Sequence, residues 1–398
     1  MIGPVIVSLE GTRISDRERQ LLAHPKVGGV VLFRENWERD NKNAKEALKI
    51  LISEIRSINP NLIIMVDHEG GKVWRFEQGF TKLPSAKTFG DRYDKNREEA
   101  LTFAFQQGQL MATELLECGV DISLAPVLDL HGISNVIGKL ERAFHANPKV
   151  VAELAEQFIR GMNEAGMPAT AKHFPGHGSC AQDSHVASPV DSRTLKELEN
   201  DLYPFKALVE RNLLGAVMPA HVTYPAVDPL NTAGFSSIWI QNYLRAWGFN
   251  GVVMSDCLSM AGAGSGSPLE RLEAAQKAGC DFLMLTHQKG PLLETLMGIL
   301  DRISDTKESA ERRTNLAKCT AENGVKVVKV TTAHIVRQVI PDDNPVKIAM
   351  DYLYQARSLR VQKGVAEQIE RGLSHGPGAN VAAAPRSTPA PAAASAPR

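Results

Sequence analysis

The chain has 398 residues, 43% of them hydrophobic, with 45 acidic residues against 45 basic ones. A net charge near zero argues against a nucleic-acid or membrane-surface protein, which would carry a basic excess. At ~150 residues per domain the length fits two domains, and it also fits a single α/β barrel of ~250 residues or more.

The N-terminus, MIGPVIVSLEGTR, has no basic leader and only a short apolar run, so neither a signal peptide nor a membrane span is expected and a cytoplasmic protein is. Short β-rich runs then alternate with longer amphipathic stretches, the pattern of parallel βα units. The runs are Val5 to Leu9, Gly29 to Phe33, Leu62 to Val66, Ile122 to Val127, Ala169 to Lys172, Ala216 to Met218, Val252 to Ser255 and Phe282 to Leu285. Helical patterns at Ala44 to Ile58, Glu98 to Glu117, Val150 to Ala165, Leu195 to Asn212 and Ile238 to Trp247 lie between them, and Gly119, Gly166 and Gly279 are expected stops. Eight such repeats close most economically into a (β/α)₈ TIM barrel, although the pattern alone leaves an open doubly wound sheet as an alternative. Five scattered cysteines without CxxC spacing predict reduced thiols and no zinc cluster.

A barrel places its site at the carboxyl ends of its strands, and polar residues recur there: Glu10, Arg34 with Glu35, Asp67 with His68 and Glu69, Asp129, Lys172 with His173, His221, Asp256 and His287. The segment KHFPGHGSCAQDSH, Lys172 to His185, is broken by Pro175, Gly176 and Gly178 and reads as a mobile loop carrying chemistry. Asp256 ends the apolar run GVVMSD at the expected barrel mouth, where a carboxylate can attack an electrophilic carbon. Capping of a following helix is the bland alternative, and Ser255 or Ser259 could serve there instead. Asp183 stands two positions before His185, where a carboxylate can fix a histidine tautomer and raise its basicity for acid/base work. The histidine-rich loop also invites a metal reading, but its prolines and glycines forbid the helical ligand spacing of zinc hydrolases, so no metal and no cofactor is expected.

In these motifs the chain resembles the glycoside hydrolase family 3 β-N-acetylglucosaminidases of bacterial cytosolic cell-wall recycling. The resemblance covers roughly Met1 to Ile303. It is carried by VDHEGGKVWRF (66–76), APVLDL (125–130), ERAFH (141–145), KHFPGHG (172–178), DSH (183–185), MPAHV (218–222) and MSDCLSM (254–260). It implies a retaining exo-β-N-acetylglucosaminidase in which Asp256 forms a covalent glycosyl-enzyme and His185, oriented by Asp183, is the acid/base. It further implies a sugar subsite formed by Asp67, Arg75, Arg142, Lys172 and His173, whose types suit hydroxyls and an acetamido carbonyl. His177 reads as a loop-bracing residue. The implied substrate is a small GlcNAc-containing muropeptide, GlcNAc-1,6-anhydroMurNAc-peptide, handled by a monomer or weak homodimer. Two departures stand out: Cys257 replaces the family's usual second aspartate, and IGKLERAFH is slightly longer than the usual spacing, which would displace Arg142.

Phosphorolysis on the same scaffold is a rival reaction, since a histidine acid/base would let phosphate replace water. A sugar-binding protein without catalysis is a second rival, against which the presence of Asp256, Asp183 and His185 argues. The expected domains are a barrel over 1–310, a mainly helical extension over 311–372 with a strand-like stretch at Val325 to Val330, and an Ala/Pro-rich disordered tail over 373–398.

Overall fold

A computed structural model of the chain describes residues 2–184 and 186–327, the last eight of these by backbone alone. Each of the eight expected runs contains a strand, and the strands alternate with helices in the order β1 (Val5–Ser8), α1 (Asp16–Ala23), β2 (Val27–Leu32), α2 (Ala44–Ile58), β3 (Ile63–Val66), α3 (Ala86–Tyr93), α4 (Arg97–Leu116), β4 (Ile122–Ser123), α5 (Pro148–Ala165), β5 (Ala169–Phe174), α6 (Leu195–Glu210), β6 (Leu214–Pro219), β7 (Val252–Val253), α7 (Pro268–Ala278), β8 (Leu283–Met284), α8 (Pro291–Ile299) and α9 (Lys307–Val327). A small antiparallel hairpin, Thr223–Tyr224 with Asp228–Thr232, follows β6.

Local chemistry sets the helix ends. Ser15 with Glu18, Thr194 with Glu197 and Ser267 with Glu270 form reciprocal capping boxes that satisfy the first free N–H groups of α1, α6 and α7. Gly166 and Gly279 end α5 and α7 in the left-handed region, at φ +97° and +114°. Between these ends α2 buries Leu48, Leu51, Ile52 and Ile55, the stripe its spacing predicts.

The strands pair in parallel as β8-β1-β2-β3-β4 and as β5-β6-β7. The two sheets meet at two further parallel bridges, Val127 with Lys172 and Met254 with Phe282. Alternation along the strands divides the core. Val5, Val7, Val30, Leu32, Ile64 and Val66 pack against the helices, whereas Ile6, Val31, Ile63, Met65, Met218, Met254 and Met284 join a second cluster on the other face.

Four expectations are corrected. The run Ile122 to Val127 is a strand only at Ile122–Ser123, because Pro126 has no N–H to give the ladder. The helix expected at Ile238 to Trp247 is a π-helix over Ile238–Arg245, which the spacing of Trp239, Tyr243 and Trp247 fits equally well. Val325 to Val327 ends helix α9 and is not strand, since β-branched preference is a weak prior that a continuing helix overrides. Lys172, His173 and Phe174 belong to β5, so the expected loop opens only at Pro175, and Gly176, His177, Gly178 and Cys180 are buried. The position 310/311 falls inside α9, whose Arg313 is buried and donates to the carbonyls of Ile2 and Asp281 at 3.0 and 2.7 Å. The extension beyond 327 and the tail lie outside the described residues.

Candidate active site

The carboxyl ends of the strands surround a cavity of about 570 Å³. Asp67, Arg75, Arg142, Lys172, His173, Asp183 and Asp256 all line it, with Glu69, His177, Ser184, Cys257 and His287. His185 lies outside the described residues. The longer stretch before Arg142 does not displace it from the cavity; Glu141 turns the chain there at φ +58°.

Five of these side chains form one ionic network. Lys172, almost wholly buried at the end of β5, places Nζ 2.7 Å from Asp67 Oδ1 and 2.7 Å from Glu69 Oε1. Arg142 grips Glu69 in a two-pronged pair, Nε to Oε2 and the terminal nitrogen to Oε1, both at 2.8 Å. Arg75 reaches Asp67 Oδ2 at 3.5 Å. Burial alone would raise the acids, but Arg142 and Lys172 overcome it and hold Glu69 far below the usual carboxylate range, as Lys172 and Arg75 hold Asp67 low. Burial likewise opposes the charge of Lys172, and Asp67 and Glu69 reverse that and raise it. Three cations thus face two carboxylates in a largely buried wall, leaving a row of donors and acceptors of the kind that suits sugar hydroxyls.

Asp129 stands behind this wall, buried completely. It accepts His173 Nδ1 at 2.7 Å and the backbone N–H groups of His173 and His177 at 3.2 and 2.7 Å. His173 therefore presents its other ring nitrogen from a fixed ring, the arrangement by which a carboxylate orients an imidazole. Burial favours the neutral form of three further histidines. Burial, with Arg75 adding to it, pushes His68 down to about 3, and burial also lowers His177 and His221 against the opposing charges of Asp129 and Asp256.

Asp256 differs from the other acids. Its Oδ1 accepts the Cys257 N–H at 2.7 Å, and among the described residues no basic side chain pairs with it. It does not cap α7, which starts at Pro268 on the cap of Ser267. The Cys257 thiol lies 2.9 Å from Oγ1 of Thr286, which lines the same cavity.

Some strand-end residues fall elsewhere: Glu10, Arg34, Glu35, Asp129, His68 and His221 do not line the cavity. Residue reading gave no role to Glu69 or Ser184, which the structure brings into it. Glu69 carried a signal, its position at a strand end within DHEGG, but nothing local names its two cationic partners.

A pocket at the carboxyl ends of parallel strands, walled by paired cations and carboxylates around an Asp256 that pairs with no cation among the described residues, fits a glycoside hydrolase. The model of the glycosyl hydrolase family 3 N-terminal domain matches residues 4–316, and the chain belongs to that family. A β-hexosaminidase of Thioalkalivibrio sulfidiphilus is 49% identical over 308 residues, 76% of this chain and 85% of its own length. One of Neisseria meningitidis serogroup B is 47% identical over 292 residues, 72% and 78% of the two chains. Native NagZ from Neisseria gonorrhoeae superposes with a TM-score of 0.74 at 41% identity, over 83% of this chain and 94% of that one.

Proposed function

We propose that the chain is a retaining exo-β-N-acetylglucosaminidase that removes terminal non-reducing N-acetylglucosamine from muropeptide fragments of the GlcNAc-1,6-anhydroMurNAc-peptide kind, in peptidoglycan recycling in the cytosol. It is a glycoside hydrolase of the β-N-acetylhexosaminidase type, without a cofactor. The relatives named β-hexosaminidase support the reaction, and the NagZ of Neisseria gonorrhoeae in complex with N-trifluoroacetyl-D-glucosamine supports the sugar. Thiols without a disulfide at Cys118, Cys180, Cys257 and Cys280 fit a reducing compartment. The bridges Val127 to Lys172 and Met254 to Phe282 support a closed (β/α)₈ barrel around the site.

The observation that carries the reading is the isolation of Asp256. Asp67 and Glu69 are neutralised by Lys172, Arg75 and Arg142, so neither is free to attack, whereas Asp256 lacks a cation among the described residues. In the first step Asp256 bonds to the anomeric carbon, the glycosidic bond breaks, and His185 gives its proton to the departing oxygen. In the second, His185 takes a proton from water, whose oxygen displaces Asp256. Asp183 orients His185. The ionic wall of Asp67, Arg75, Arg142 and Lys172, with His173, holds the sugar so that both displacements start in line.

Hydrolysis of an aryl β-N-acetylglucosaminide tests this. Asp256→Ala is expected to lose roughly 10³-fold or more in kcat, as removal of a covalent nucleophile does. His185→Ala is expected to lose most on poor leaving groups and to regain turnover of activated ones with azide. Full activity of Asp256→Ala would overturn the assignment, and sugar phosphate among the products with phosphate present would make the enzyme a phosphorylase.

A further inference from the structure

Ser184 is held from two sides. It is 3% exposed, although Val186 close by is 77% exposed. Its Oγ lies 3.2 Å from Nε2 of His177, and its carbonyl accepts the Gly262 N–H at 2.8 Å. His177 is itself fixed, since its backbone N–H donates to Asp129, which also holds His173. Gly262 belongs to the segment that follows Asp256, and it approaches so closely that a Cβ there would meet the Ser184 carbonyl oxygen at 2.8 Å. One residue thus ties the stretch after β5 to the buried Asp129 and to the nucleophile's own loop.

We propose that Ser184 is a positioning residue, whose hydroxyl on His177 and carbonyl on Gly262 fix the neighbouring Asp183 at the cavity wall, from which it orients the acid/base. This rests on the acid/base role given to His185 above. The hydroxyl meets the His177 ring at Nε2, and the backbone of His177 is tied to Asp129 through its own N–H, so the ring hangs from a fixed point of the chain. Burial lowers the basicity of His177 and so favours its neutral form in this contact. With Ser184 Oγ removed, the backbone contact to Gly262 remains but the segment is free to tilt about it. Placement of the acid would loosen while the sugar wall, built on Asp67, Glu69, Arg142 and Lys172, stayed in place.

The test compares kcat/KM for dinitrophenyl and phenyl β-N-acetylglucosaminides, because kcat/KM reports the first displacement and only the phenyl substrate needs a proton there. Ser184→Ala is expected to lose about 10-fold on the phenyl substrate and less than about 2-fold on the dinitrophenyl one, part of the ~10²–10⁴ a general acid supplies. His177→Asn should show the same pattern, and the double variant should lose no more than the worse single, as two ends of one contact do. Gly262→Ala, which presses on the Ser184 carbonyl, gives an independent variant should Ser184→Ala fold poorly. Equal losses on both substrates, or none, would overturn the proposal when His185→Ala discriminates between them. If His185→Ala does not discriminate, the acid/base reading itself falls, and this inference with it.

Discussion

Glu69 keeps Arg142 and Lys172 apart and aimed, so its removal reaches the site through two cations. Glu69→Gln leaves both partly unpaired in a buried wall, and breaking a buried pair costs about 3–5 kcal/mol. A lower melting temperature at pH 7 and a raised KM are expected. The pH dependence has a definite sign. Because the folded state holds the Glu69 carboxyl below its ordinary 4.5, its contribution is fully present above that pH and is lost as pH falls beneath it. Melting temperatures from pH 7 to 3 should therefore fall less steeply below pH 4.5 for Glu69→Gln than for wild type; parallel curves would contradict the pairing. At this scale Asp67, Lys172, His173 and Asp256 were legible as polar residues at strand ends. The partnerships of Glu69 and Asp129 were not, since position in a strand says which end a side chain occupies and nothing of what faces it across the pocket.

Helices α4 and α5 meet through glycine on both sides. A Cβ on Gly108 would come within 2.0 Å of the Phe158 carbonyl oxygen, and one on Gly161 within 2.0 Å of the Phe105 carbonyl oxygen. Gly161→Ala must therefore part the two backbones, and overpacking of this kind costs about 3 kcal/mol. A drop in melting temperature with kcat preserved below the transition is expected, because the contact lies between two outer helices; an unchanged melting temperature would show that the helices separate freely. The periodicity marked both helices, but it did not mark Gly108 and Gly161 as the place where they meet. The strand expected over Ile122 to Val127 and the helix expected over Ile238 to Trp247 were misjudged for a related reason: Pro126 and the π-helix at Ile238–Arg245 alter bonding without altering the apolar pattern.

Across the molecule, α9 closes the end of the strands opposite the cavity. Arg313, wholly buried, pairs with Asp305 and donates to carbonyls that precede β1 and β8, and Leu316 joins the inner cluster of strand side chains. Arg313→Ala removes these bonds and leaves buried acceptors unmet, at about 3 kcal/mol or more. Chemical denaturation should show that loss while kcat of the folded enzyme stays within about 2-fold, since the change lies far from the chemistry. A large fall in kcat with unaltered stability would mean that α9 acts on the site. Among the described residues no helix is long and apolar enough to cross a membrane.

The sequence by itself determined the alternation of strands and helices and the end of the strands where chemistry gathers. Both are periodic or local properties: apolar spacing, caps, and a polar residue where an apolar run stops. Only the tertiary structure decided that Glu69 joins Lys172 and Arg142, that His177 faces Ser184, and that Asp256 stands without a cation among the described residues. Each depends on side chains from different strands meeting across one cavity, separated by 73 residues between Glu69 and Arg142. A contact of that span is fixed by the packing of the whole sheet and leaves no trace in the local pattern of the chain.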